Sequence, residues 1–280
     1  MTFEHIVVVK KLDAPNATPV QAVFVNVRLW ADSHNITHEV YDDNDDTVTS
    51  KKALVVAIGG DGTVILASKI ANHLRASVIG FNLGKIGFLS DFDPKHVWDT
   101  LSMALAGSMV RESREMLSVG DGDNTHNALN DVVISCEQSD TSFQYDLLID
   151  NKFAGTHMAN GVIFSTPTGS TAYALNVGGA IMAPSMEGVM QIVPIAAQTM
   201  TSRPLIVPSD PGARIIFRLL KERPISIRVD GVKVKTLVNE EDSPVFAQVS
   251  INQSLDHVSL LHHSNWNHFE TLSKKLGWNK

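Results

Sequence analysis

Residues 57–63 read Ala-Ile-Gly-Gly-Asp-Gly-Thr and follow directly on the apolar run Ala53-Leu54-Val55-Val56. A short β-rich run that stops at Gly59-Gly60-Asp61-Gly62-Thr63 and resumes as Val64-Ile65-Leu66-Ala67-Ser68-Lys69 predicts strand, glycine turn and helix in immediate succession. Glycines at such a turn let the backbone take φ > 0 and approach a ligand with no Cβ in the way. The free N–H groups there, backed by a helix N-terminus, suit phosphate oxygens. Asp61 is the odd member, because a carboxylate repels phosphate. Its role must be a different one, either accepting a proton from a hydroxyl or holding a metal. The plainer alternative is a tight strand-to-helix turn in which Asp61 caps the helix.

The surrounding pattern repeats this alternation. Residues 6–9 predict a buried strand. Val20, Val23, Phe24, Val27 and Trp30 have helical spacing, and residues 38–41, 54–58 and 78–82 predict three further strands. Helices are expected over residues 63–73 and 95–106, the second opened by Asp93-Pro94. Strands separated by helices argue for a parallel sheet with helices on its faces. The pattern changes near Arg111. From Met116 to His262 the segments are short and often alternating, as at 127–135, 143–149, 161–165, 213–219, 226–229 and 244–251, with turn residues between them. This predicts a mostly β domain. Within it, residues 170–179 are rich in small side chains and predict a loop leading into a short helix. The tail, residues 265–280, is helical in pattern again, with apolar Trp266, Phe269, Leu272 and Leu276.

Composition narrows the function classes. The chain has 280 residues, 44% hydrophobic and 19% charged, with a net charge of −7. That is globular composition with no basic footprint for nucleic acid. The acidic run at residues 42–46 reads as a solvated loop. A single cysteine, Cys136, excludes an internal disulfide and a cysteine metal cage, and suits a reducing compartment. No apolar stretch approaches the ~18 residues of a membrane span, and the N-terminus has neither a basic lead nor a long apolar core. The expectation is a soluble, cytoplasmic protein with no nucleic-acid and no membrane partner.

Three more segments carry residues that a phosphorylated ligand needs: Asn130-Asp131, the string from Ser165 to Tyr173, and Val229-Asp230-Gly231. Hydroxyls and glycine can bond phosphate and ribose, while Tyr173 offers a face to a base. The string is also ordinary turn composition, and Asp-Gly is an ordinary hairpin turn. Other chemistries are not signalled. Gly80-Phe81-Asn82-Leu83-Gly84-Lys85-Ile86 has the wrong glycine spacing for a P-loop and Ile86 where Ser or Thr must stand. No Gly-x-Gly-x-x-Gly follows the first strand, no Gly-x-Ser-x-Gly occurs, and the eleven histidines are scattered.

In this order, the segments resemble the NAD kinase family. The matches are Gly59-Gly60-Asp61-Gly62-Thr63, Gly84-Lys85-Ile86-Gly87-Phe88-Leu89, Ala128-Leu129-Asn130-Asp131, the string Ser165-Thr166-Pro167-Thr168-Gly169-Ser170-Thr171-Ala172-Tyr173, Ser202-Arg203-Pro204-Leu205 and Val229-Asp230-Gly231. The tail Thr271-Leu272-Ser273-Lys274-Lys275-Leu276-Gly277-Trp278 is similar to that of the bacterial members. The resemblance covers residues 50–280. It implies an α/β N-terminal domain with a parallel sheet (residues 1–113), a mostly β NAD-binding domain (114–262), and a C-terminal helical tail (263–280) returning to the first. It also implies transfer of the γ-phosphoryl of ATP to the 2′-hydroxyl of the adenosine ribose of NAD, giving NADP, with magnesium accompanying ATP and no metal ligand assigned to the protein itself. Asp61 would be the proton acceptor, and Gly59, Gly60, Gly62 and Thr63 would hold phosphate. Asn130 and Asp131 would hold a ribose. Thr168, Ser170, Thr171, Ala172, Tyr173, Ala174, Leu175 and Asn176 would line the nucleotide site together with Asn160, and Asp230 would close it. The family assembles as homodimers or homotetramers.

The chain departs from the family pattern at three places. Asn160 stands where Asp is usual, Met158 where related bacterial members often carry a basic residue, and Gln198 where His is usual. These bear on NAD affinity and nucleotide choice more than on the chemistry. Two alternatives therefore stand beside an active NAD kinase: a non-catalytic NAD(P)-binding regulator on a kinase-like fold, and another Gly-Gly-Asp-Gly kinase acting on a lipid or a sugar.

Overall fold

The computed structural model describes residues 3–11, 16–41, 52–84, 87–120, 124–138, 141–210, 212–219, 223–240 and 245–277. The acidic run 42–46, Lys85 and Ile86 of the second motif, and Trp278 of the tail lie outside the described residues. The chain divides into two compact units, residues 1–113 with 258–280, and residues 114–257.

The first unit is built as β1 (His5–Lys10), α1 (Thr18–Ser33), β2 (Thr37–Val40), β3 (Ala53–Gly59), α2 (Asp61–Leu74), β4 (Ser77–Asn82), a 3-10 turn (Pro94–His96) and α3 (Val97–Ala106). The strands pair in parallel in the order β2-β1-β3-β4. All seven residues of β3 are buried, as a strand covered on both faces must be. The chain runs outward one way from β1 to β2 and the other way from β3 to β4. The switch point of the sheet is therefore at the carboxyl ends of β1 and β3, where ligands bind in open α/β sheets. The glycine turn begins there. Val20, Val23, Val27 and Trp30 of α1 are buried at the expected spacing, and the Trp30 indole donates to Ser102 Oγ of α3 at 3.0 Å.

The second unit contains most of β5 (Val110–Gly120), then β6 (Thr125–Ala128), β7 (Asp131–Cys136), β8 (Phe143–Ile149), β9 (Lys152–Ala159) and β10 (Gly161–Ser165). A 3-10 turn (Thr168–Thr171) and the single turn α4 (Tyr173–Asn176) follow, then β11 (Val189–Ile195), β12 (Leu205–Pro208), β13 (Ala213–Leu219), β14 (Ile225–Val229), β15 (Val232–Leu237) and β16 (Val245–His262). One antiparallel sheet has the order β12-β11-β10-β7-β14-β15, and strands β16-β13-β8-β9 pair antiparallel in that order. Val132 and Ile134 of β7 join Phe164, Ile192, Tyr145 and Phe217 in one apolar core. The other face of β7 carries Asp131, Val133 and Ser135, and there Ala174 of α4 packs with Val133, Ile163 and Val193. After β16, whose residues from Val258 on belong to the first unit, comes α5 (His268–Leu276).

Residues 127–135, expected as one strand, form two. The break falls at Leu129 and Asn130, whose N–H groups bond to the Asp230 carboxylate instead of to a neighbouring strand. The strand expected at 244–251 runs on to His262, and the tail helix is shorter than expected because Asn267 caps it, accepting from the Phe269 N–H at 2.9 Å.

Candidate active site

In the first unit, Gly60 is the N-cap of α2 and provides no side-chain cap. Asp61 is the first helical residue, yet its carboxylate does not cap its own helix. It turns to the segment after β4. Oδ2 accepts from the Phe88 N–H at 2.9 Å, and Oδ1 from the Leu89 N–H at 3.0 Å and from the Ser90 N–H and hydroxyl at 3.3 Å each. Lys275 of α5 adds a fifth donor, its Nζ 3.2 Å from Oδ2 and 4.1 Å from the centre of the Phe88 ring. Burial alone would raise the Asp61 carboxyl. The Phe88 and Leu89 N–H groups and the Lys275 ammonium outweigh it, so the group is held below the usual carboxylate value. Asp61 is thus an anchored anion at neutral pH.

The glycines around it serve different ends. A Cβ on Gly59 would lie 2.1 Å from Thr63 Oγ1, and one on Gly87 would lie 2.1 Å from Asp61 Oδ1, so packing requires both. A Cβ on Gly60 or Gly62 would meet nothing within 4 Å. Nothing in the folded chain demands glycine at those two exposed positions, and the free N–H groups of the α2 N-terminus lie beside them.

The second unit holds a cavity of about 430 Å³ lined by Asn130, Asp131, Ala172, Tyr173, Arg228 and Asp230. Asp230 and Gly231 form a two-residue hairpin between β14 and β15 with φ of 49° and 81°, the left-handed pair that such a hairpin needs. This turn aims the Asp230 carboxylate at the N–H groups of Leu129, Asn130 and Asp131, at 3.1, 2.7 and 3.3 Å. Asp230 therefore shapes the Asn130-Asp131 turn. Burial raises the Asp131 carboxyl to about 7, with the Asp230 charge adding to the effect. Tyr173 keeps 42% of its surface exposed, an aromatic face available to a base.

The hydroxyl string is placed differently from the expectation that it faces a nucleotide. Thr166 Oγ1 donates to Leu129 O at 2.6 Å and accepts from the Gly169 N–H. Thr168 Oγ1 accepts from the buried Arg114 guanidinium at 3.1 Å. Ser170 Oγ donates to Met182 O and accepts from the Met182 N–H, and Thr171 Oγ1 donates to Thr168 O. These hydroxyls fasten the 3-10 turn, and Thr168 and Ser170 are buried and do not line the cavity. Gly169 makes the close approach possible, since a Cβ there would lie 2.0 Å from Asn130 O. Ala174 is fully buried in the sheet face, while Leu175 is half-buried and Asn176 exposed. Asn160 lies between β9 and β10, outside the cavity lining, its N–H donating to Ile195 O. It is close to the other two departures: the Gln198 N–H donates to Met158 O, and the Gln198 amide donates to Ser142 Oγ at 2.8 Å.

Sequence reasoning missed Lys275 and Arg228. A lysine in the last turn of an amphipathic helix has the pattern of a solvated charge, and Arg228 sits in an ordinary alternating strand. The Phe88–Ser90 backbone stands in the sequence only as part of a motif, and nothing in the pattern says that its N–H groups hold a carboxylate.

Two family profiles match the chain, the ATP-NAD kinase N-terminal domain over residues 4–109 and the ATP-NAD kinase C-terminal domain over residues 129–252. The chain is similar to the NAD kinase of Pectobacterium atrosepticum, 35% identical over 232 residues that cover 81% of this chain and 77% of that protein. It is 34% identical to the NAD kinase of Blochmanniella floridana over 250 residues, 87% of this chain and 82% of that one. Among solved structures, yeast NADH kinase complexed with NADH has a TM-score of 0.78 at 21% identity, covering all of this chain and 89% of that one. An Archaeoglobus fulgidus NAD kinase in complex with ATP has a TM-score of 0.72 at 20% identity, covering 96% of each chain. The two solved structures share the fold, and the sequence relatives carry the further conclusion: this chain belongs to the NAD kinase family.

Proposed function

We propose that the chain transfers the γ-phosphoryl of ATP to the 2′-hydroxyl of the adenosine ribose of NAD, giving NADP. One observation carries this reading: a chain 35% identical to an NAD kinase over 81% of its length has Asp61 anchored in its glycine turn and an Asn130-Asp131 turn lining a cavity with Tyr173. The turn of Gly59, Gly60, Gly62 and Thr63 holds phosphate through the open backbone N–H groups at the α2 N-terminus, the Thr63 N–H itself closing the turn onto Gly60 O at 2.9 Å. Asn130 and Asp131 hold ribose hydroxyls, Ala172 and Tyr173 receive the base, and Asp230 fixes the turn. Asp61 accepts the hydroxyl proton. A carboxylate held this acidic is a weak base, so the proton leaves late, as the phosphoryl group moves.

Magnesium enters with ATP as part of the substrate. Among the described residues no group of three or more His, Cys, Asp or Glu side chains is arranged to hold a metal ion, and Asp61 already accepts five hydrogen bonds. Bound with ATP, the ion would supply positive charge that offsets the charge developing on the transferring phosphoryl group. Assembly as a homodimer or homotetramer and a cytoplasmic location belong to the same reading. Exposed Phe153, Phe246 and Leu255 on the second unit fit self-association, and among the described residues no helix is long and apolar enough to cross a membrane. A purely binding role is not favoured, because the sequence relatives are kinases.

The test is NADP formation from NAD and MgATP, read through an NADP-specific dehydrogenase. Turnover is expected, and Asp61→Asn lowers kcat by about 10²–10⁴, the usual contribution of a positioned base. Absence of NADP, or an Asp61→Asn variant within a few-fold of wild type, overturns the corresponding part.

A further inference from the structure

Lys275 is fixed with unusual care for a residue so near the end of the chain. Its helix is capped at the start by Asn267 and ends at Gly277, with φ of 65°. Leu272 is 1% exposed, and His268 packs near Phe88, their ring centres 6.3 Å apart. The neighbouring Lys274 takes the solvent-side partner Glu270, one turn earlier at 3.3 Å. Lys275 instead turns inward, over the Phe88 ring and onto Asp61 Oδ2. Both partners of this ion pair keep a minority of their side-chain surface in contact with water, 31% for Lys275 and 28% for Asp61. Among the described residues it is the only cation bonded to Asp61.

The α2 N-terminus offers phosphate a set of N–H dipoles but no full positive charge, and phosphoryl transfer builds charge on three equatorial oxygens. An ammonium on a flexible stem, parked beside the proton acceptor, meets that need. We propose that Lys275 is the cation of the phosphoryl-transfer site, passing from Asp61 to the γ-phosphoryl group when MgATP binds. This rests on the NAD kinase reading. In the step itself the bond from the γ-phosphorus to its bridging oxygen breaks, and the ribose oxygen bonds to phosphorus. The hydroxyl proton passes to Asp61 Oδ2, and ADP leaves with the electron pair. Withdrawal of Lys275 removes one of the two donors on Oδ2, the other being the Phe88 N–H. Donor arrival thereby frees the oxygen that takes the proton.

The experiment compares wild type, Lys275→Met and Lys275→Arg by steady-state kinetics across pH. Wild-type NADP formation comes first, because its absence counts against the kinase reading and not against Lys275. Given wild-type turnover, Lys275→Met keeps the stem over Phe88. It lowers kcat by about 10²-fold, the scale of losing one stabilising donor to a transferring group. The acid limb of its kcat/KM for ATP, which reports the free enzyme, also moves up by about half a pH unit or more, since Asp61 there loses a nearby positive charge. The other groups packed around Asp61 are the Ser90 hydroxyl, the N–H groups of residues 88–90 and, further off, His268 and the Asp91–His262–Glu112 cluster. All are unchanged in the variant. Lys275→Arg restores a substantial part of kcat and returns the acid limb. A Lys275→Met enzyme with wild-type kcat and an unmoved limb overturns the proposal, as does one that is faster than wild type. Equal losses in the Met and Arg variants, with no movement of the limb, mean that Lys275 only docks the helix, and overturn it too.

Discussion

Asp230 holds Asn130 by its backbone across 100 residues of sequence: Oδ1 accepts the Asn130 N–H at 2.7 Å, with the Leu129 and Asp131 N–H groups on the same carboxylate. Removing a carboxylate that satisfies three part-buried N–H groups costs about 1–3 kcal/mol, as unpaired donors do. The turn that presents Asn130 and Asp131 then relaxes. Asp230→Ala is expected to lower the thermal midpoint and raise the KM for NAD about tenfold, with a smaller effect on kcat. Chemical denaturation together with NAD saturation curves checks this. An unchanged KM would separate the turn from NAD binding.

The same contact makes Asp131 a pH-dependent element. Burial, and then the neighbouring Asp230 charge, raise its carboxyl to about 7, whereas the unfolded group ionises near 3.8. Between those values the folded chain binds more protons than the unfolded chain. The contribution of Asp131 to stability is complete below 3.8 and is lost as pH rises through about 7. Asp131→Asn cannot titrate, so the stability of wild type relative to this variant falls across that window and levels off above it. Urea unfolding of both proteins at about pH 5 and about pH 8 reads the difference. A constant gap would contradict the assignment.

These two contacts mark what the sequence made legible and what it did not. The parallel sheet was readable because β1, β3 and β4 are short apolar runs separated by helices with clear 3–4 spacing, and local pattern settles such units. The break between β6 and β7 was not readable, because its cause is a carboxylate a hundred positions away. For the hydroxyls of residues 165–171, composition shows that donors and acceptors are present, while only the fold shows that Leu129, Arg114 and Met182 engage them. Lys275 was invisible for the converse reason. Nothing in a Lys-Lys pair near the end of a helix says which lysine faces solvent, and the answer depends on Phe88 and Asp61.

His262 ties three segments of the first unit together. Its ring nitrogens meet Asp91 Oδ2 at 2.9 Å and Glu112 Oε2 at 3.1 Å, and its ring stacks on Trp266 at 4.1 Å. Asp91 Oδ1 is buried with no hydrogen-bond partner among the described residues, so the bond from Oδ2 to the histidine is what anchors that carboxylate. Burial alone would lower the imidazole, but the two carboxylates outweigh it and the net shift is upward from 6.5. The stabilisation is therefore fully present below 6.5 and is lost as pH rises through the folded value. His262→Gln is expected to destabilise by about 3 kcal/mol at acidic pH, as breaking a buried pair does. The gap from wild type narrows at alkaline pH. Thermal melts of the two proteins through this range test the sign, and a gap that widens with pH would contradict it.

Gly62 and Gly87 give the most direct separation of fold from ligand. An added Cβ at Gly87 would sit 2.1 Å from Asp61 Oδ1 and 2.4 Å from Ser90 Oγ, so Gly87→Ala must displace the Asp61 carboxylate. It is expected to lower kcat by at least about tenfold while leaving the Asn130-Asp131 turn of the second unit intact, and hence the KM for NAD near wild type. Gly62 is the second residue of α2 and a Cβ there meets nothing within 4 Å. In the free protein Gly62→Ala should be neutral or stabilising by about 0.5–1 kcal/mol, because alanine loses less backbone entropy in a helix. If phosphate approaches the N–H groups there, the same methyl blocks it, and the KM for ATP rises about tenfold, equivalent to about 1.4 kcal/mol. A Gly62→Ala protein that melts no lower than wild type yet binds ATP poorly would assign that glycine to the ligand. One that keeps both its melting point and its ATP affinity would move the phosphate site away from this turn.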